Sequence, residues 1–108
     1  MSARAFILEP TMHDSHSAKS FGEVIMIFAH ANDHPPYFSA GFQKAVLLRL
    51  LEEKFDPAKD FVVVTGAQVA ITALVAIIAS RWGQIQSLCF NAKRREYELV
   101  PMGSNQDF

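Results

Sequence analysis

Twenty consecutive residues, Phe61 to Ser80, carry no charge and lie between Asp60 and Arg81. That is the length of a membrane span. The order of residue types inside the stretch argues for something else. Phe61-Val62-Val63-Val64 is a β-branched run, and Thr65-Gly66 follows it as a turn. Gln68, Thr72 and Ser80 then punctuate an otherwise apolar segment. A strand, a tight turn and a buried helix over about Ala67–Trp82 account for this pattern, with Gly83 ending the helix. No membrane span is expected. A strand that feeds directly into a buried helix is a β-α unit, the building block of parallel sheets.

The rest of the chain fits around that unit. Ala3–Glu9 reads as a short first strand stopped by Pro10, and Thr11–Ser20 as a polar loop. Val24-Ile25-Met26-Ile27-Phe28 is continuously apolar within a strand over Glu23–Ala29, which predicts burial on both faces. Pro35-Pro36 excludes helix from the loop that follows. Ser39 is a plausible N-cap for a helix reaching about Phe55, with Asp56-Pro57 beyond its end. Phe42, Ala45, Val46, Leu47, Leu48, Leu50 and Leu51 cover more than one stripe of that helix. One sheet face cannot bury them all, so a second packing partner is expected. Ile85–Phe90 and Glu96–Pro101 are strands joined by the polar turn Asn91–Arg95, a connection short enough for an antiparallel hairpin at the sheet edge.

The expected architecture is α/β. It is a two- or three-layer sandwich with a mostly parallel sheet of four or five strands, two main helices and an antiparallel C-terminal hairpin. One domain over 1–102 and a flexible tail over 103–108 are expected. Strand order stays open. Helices on opposite faces would explain strands that are apolar throughout.

With 108 residues, 50% hydrophobic and 19% charged, the chain has the size and balance of a single globular domain. A net charge of −1 provides no general field for nucleic acid or an anionic membrane. One cysteine, Cys89, excludes an intramolecular disulfide and a cysteine-based zinc site. The N-terminus has neither the basic start nor the long apolar core of a signal peptide, so a cytoplasmic protein is expected.

In a parallel α/β sheet, ligands bind where strands end and helices begin. That rule selects two loops. Thr65-Gly66-Ala67-Gln68 opens a helix whose free N–H groups and dipole favour an anion such as a nucleotide phosphate. The loop has one glycine and no P-loop lysine, so a plain β-α turn capped by Thr65 competes with the ligand reading. His30, Asn32, Asp33 and His34 occupy the other loop, and Thr11 opens a third segment that would share its edge. His30, Asp33 and His34 are of metal-binding types but sit within five residues, where a solvated polar loop is the simpler reading.

No Gly-x-Ser-x-Gly elbow exists, and Ser39 and Ser80 lie at helix ends, so no nucleophile triad is read. Cys89 sits mid-strand, where a thiol is usually inert. Glu52-Glu53 is an exposed helix end. Lys93-Arg94-Arg95 is a solvated hairpin tip. Ala70, Ala73, Ala76 and Ala79 or Ser80 give the second helix a small-residue face able to approach the sheet or another helix closely.

Three runs carry a resemblance. They are Asp14-Ser15-His16-Ser17-Ala18-Lys19-Ser20-Phe21-Gly22-Glu23-Val24, Phe55-Asp56-Pro57-Ala58-Lys59-Asp60 continuing through Thr65-Gly66, and Gly83–Phe90 before Arg94-Arg95-Glu96-Tyr97. Over about Phe6–Met102 the chain resembles small α/β proteins of bacteriophages and mobile elements. It departs from them at Ala67-Gln68 and at Phe90-Asn91. The resemblance implies a phage origin and brings no activity with it.

The expected function is non-catalytic. A homo-oligomeric module would bind a host or viral protein and need no cofactor. The alternatives are a module for a small phosphate-bearing ligand at Thr65–Gln68 with His30–His34, and, more weakly, a metal-dependent hydrolase using His30, Asp33 and His34.

Overall fold

The computed structural model describes residues 3–8, 21–28, 34–37, 39–65 and 68–103. Seven elements follow in chain order: β1 (Arg4–Ile7), β2 (Glu23–Met26), α1 (Ala40–Glu52), β3 (Phe61–Val64), α2 (Gln68–Trp82), β4 (Gln84–Asn91) and β5 (Glu96–Gly103). The strands form one sheet in the order β2-β1-β3-β4-β5. The first four are mutually parallel and β5 is antiparallel to β4. This is the expected α/β fold with its C-terminal edge hairpin. The expected tail lies, apart from Gly103, outside the described residues.

Both helices pack on one face. The connections β2-α1-β3 and β3-α2-β4 step in the same direction across the sheet, and right-handed crossovers that step the same way share a face. One core joins Phe42, Val46 and Leu50 of α1, Ala70, Leu74 and Ile78 of α2, and Phe6, Leu8, Val62 and Ile85 beneath them. The opposite face holds a second cluster: Ala5, Ile7, Val63, Leu88 and Tyr97, flanked by Phe21, Val24, Phe61 and Phe90. Among the described residues no helix covers it. The strands are therefore apolar on both faces, as helices on opposite sides would also have required, but through two unlike clusters.

β2 corrects one expectation. Its continuous apolar run predicted burial on both faces, yet it is an edge strand and Met26 is 38% exposed. Ile25 packs under the helices and Val24 against the other cluster, so both faces favour apolar residues even at the edge. The chain enters β2 through Gly22, where a Cβ would run into the Ala3 carbonyl.

α1 begins and ends by local chemistry. Ser39 is extended (φ −92°, ψ 151°), and its Oγ accepts from the Phe42 N–H at 3.2 Å. At the other end the Lys54 N–H donates to Leu51 O and the Phe55 N–H to Leu50 O, with Lys54 left-handed at φ 55°. That pair of bonds is a Schellman stop, and it closes the helix at Glu52, before the Phe55 read from the sequence.

Candidate functional site

The strand order reverses direction between β1 and β3, so the carboxyl ends of these two strands flank the topological switch point where open α/β sheets form a crevice. Thr65, just past β3, is buried there, and Gln68 is the exposed first residue of α2. Thr11, His30, Asn32, Asp33, Gly66 and Ala67 lie outside the described residues.

His34 sits among aromatic rings. It stacks on Tyr37 at 4.7 Å with an interplanar angle of 19°, and it meets Phe42 edge-on at 5.5 Å and Phe28 at 5.2 Å. Its Nδ1 lies 2.7 Å from the Pro35 carbonyl oxygen, a distance at which an Nδ1–H donates to that oxygen. These contacts tie the stiff Pro35-Pro36 segment to the start of α1. Among the described residues no three His, Cys, Asp or Glu side chains are grouped to hold a metal ion.

The amino edge of the sheet carries a charged cleft that the sequence reading did not single out. Arg4, Glu23, Glu53, Lys54, Asp56, Lys59 and Asp60 line a volume of about 480 Å³. Asp60 organises it. Only 2% exposed, its carboxylate accepts from the Arg4 main-chain N–H at 3.2 Å, the Arg4 guanidinium at 3.2 Å and the Asp56 N–H at 2.8 Å. The guanidinium also reaches Glu53 at 3.5 Å and the Lys54 carbonyl at 3.2 Å, and lies over the Phe6 ring. The buried charge is thus paired and hydrogen-bonded, as burial demands. The available signal was an Asp directly before a β-branched run, a place where burial is costly without a partner.

At the hairpin tip, Asn91 Oδ1 accepts from the Lys93 and Arg94 N–H groups at 3.0 and 3.3 Å, and its Nδ2 donates to Glu98 at 2.8 Å. Arg94 pairs with Glu96 at 3.7 Å. The basic run is exposed, as expected of a solvated tip. On β4, burial pushes the Cys89 thiol up from 9.0, and the carboxylate of Glu98, its cross-strand partner, adds to the effect.

The helical layer presents the other kind of surface. α1 turns Phe42, Val46 and Leu50 to the sheet and leaves Leu48 48% and Leu51 41% exposed. The surplus apolar stripe anticipated from the sequence is therefore on the surface. In the same layer, Gln43, Ala73, Ala76, Ile77 and Ser80 line a shallow uncharged groove of about 290 Å³ between the helices. Among the described residues no helix is long and apolar enough to cross a membrane.

A family model described as phage Pam3 gp32-like protein matches residues 6–103. No curated protein matches the chain. No solved structure matches it either.

Proposed function

The chain belongs to the phage Pam3 gp32-like protein family, and we propose that it acts by binding a protein of the host or the virus rather than by turning over a substrate. The observation that carries this reading is the outer surface of the helical layer. Two large leucines, Leu48 and Leu51, stand exposed on α1, and an uncharged groove is lined by Gln43 of α1 and by Ala73, Ala76, Ile77 and Ser80 of α2. Exposed apolar surface on a small domain is costly unless something covers it, and small side chains let a partner's backbone come close.

A photo-crosslinking residue at Ala76, in lysate of infected host cells, tests the reading against the same residue at Ala92 on the exposed hairpin tip. A discrete protein captured from position 76 and absent from 92 supports it. Absence of any captured protein at 76 overturns it, as does native mass spectrometry that finds a retained nucleotide or metal.

A second reading has one specific observation in its favour. Thr65 stands at the switch point of a 2-1-3-4-5 sheet, beside the N-terminus of α2. The ligand would carry a phosphate. Replacing Gly66 with a bulky residue would then abolish its retention while the fold persists.

A further inference from the structure

Resting on the binding reading above, we propose that the outer face of α1 also pairs with the same face of a second copy of this chain, antiparallel, about a twofold axis near Leu48. Lys44, Leu48 and Glu52 are all exposed and follow one another at four-residue intervals, so they form one line along the helix. In an antiparallel pair centred on Leu48, the leucine meets Leu48 of the partner subunit. Lys44 then lies opposite Glu52 of the partner subunit, and the same contact recurs on the other side of the axis. A parallel pair would set Lys44 against its own copy and Glu52 against its own copy. The charges therefore choose one arrangement and reject the other.

Both charges are available for that contact. Lys44 takes part in none of the ion pairs formed among the described residues. Glu52 touches Arg49 at 3.3 Å but keeps 64% of its side chain exposed. Leu51 adds a second exposed apolar side chain to α1, and Thr72, Ala76 and Ala79 on the outer side of α2 are exposed and uncharged. An isologous contact sets each surface against itself, so an uncharged flank meets no like charge.

Sedimentation equilibrium of the full chain tests this. The wild type is expected to dimerise. Leu48→Glu, at a half-exposed position where the fold should persist, should weaken the dimer by about a hundredfold, a factor worth two tenfold steps in affinity. Lys44→Glu and Glu52→Lys should each weaken it by about tenfold. The double variant K44E/E52K restores opposite charges across the axis, and its affinity should return to near that of wild type. Circular dichroism checks that each variant keeps its helices. A wild type that stays monomeric overturns the pairing and leaves the binding reading to its own test at Ala76. A dimer indifferent to Leu48→Glu, or one that the double variant does not rescue, also overturns it.

Discussion

The carboxylate of Asp60 takes hydrogen bonds from both the main chain and the guanidinium of Arg4, each at 3.2 Å, across 56 positions of sequence. The residue that precedes β3 thus holds the first residue of the neighbouring strand. Asp60→Ala leaves the part-buried Arg4 and Asp56 N–H groups without their acceptor. We expect a loss of about 2–3 kcal/mol, read by urea unfolding. Asp60→Asn keeps one acceptor and should lose less. Equal stability of Asp60→Ala and wild type would show the clamp to be idle.

Lys54 ends α1 in the left-handed region at φ 55°. A side chain there costs about 1 kcal/mol that glycine avoids. Lys54→Gly should therefore stabilise the protein by about 0.5–1 kcal/mol, seen as a higher thermal midpoint. The Schellman bonds use main-chain atoms only and survive the change. A fall in the midpoint would mean that the lysine side chain contributes more than its backbone conformation costs.

Ser87 points from β4 into the helix-covered face, fully buried, and its Oγ has no hydrogen-bond partner. An unsatisfied buried hydroxyl costs about 1 kcal/mol or more. Ser87→Ala should be neutral or stabilising by about that amount in chemical denaturation. A clear destabilisation would contradict an unpartnered hydroxyl at this site.

Burial and, second, Glu98 hold the Cys89 thiol above its usual 9.0, so at pH 8 its thiolate fraction is below that of a free cysteine. Alkylation by iodoacetamide at pH 8 should be slower in the folded protein than in urea, and Glu98→Gln should quicken it modestly. The linkage has a definite sign. With the folded value raised, the contribution to stability is fully present below 9.0 and is lost as pH rises through the folded value. Cys89→Ser should flatten that alkaline decline. Alkylation as fast in the folded protein as in urea would contradict the shift.

Much of the local structure was legible residue by residue. Ser39 announced the start of α1, and the β-branched run at Phe61–Val64 announced β3. The short turn at Asn91–Arg95 implied the antiparallel hairpin that β4 and β5 form. The candidate site was less legible. His34 reads as a metal ligand by type, yet its ring is packed against Tyr37, Phe42 and Phe28. No spacing rule reveals such a cluster, because Phe28 lies just past β2 and Phe42 comes from the next helix. The amino-edge cleft escaped notice for the same reason: Arg4, Glu53 and Asp60 meet only once three segments have packed.

The amino-acid sequence by itself determined the elements, the start of α1 at Ser39 and the surplus of leucines on α1, because these depend on neighbours within a turn or a strand's length. Only the tertiary structure decided the strand order, the edge position of β2 and the gathering of both helices on one face. Those outcomes depend on which distant strands pair and which apolar faces meet. A continuous apolar run reads the same whether its strand lies at the centre of a sheet or, like β2, at an edge between two apolar clusters.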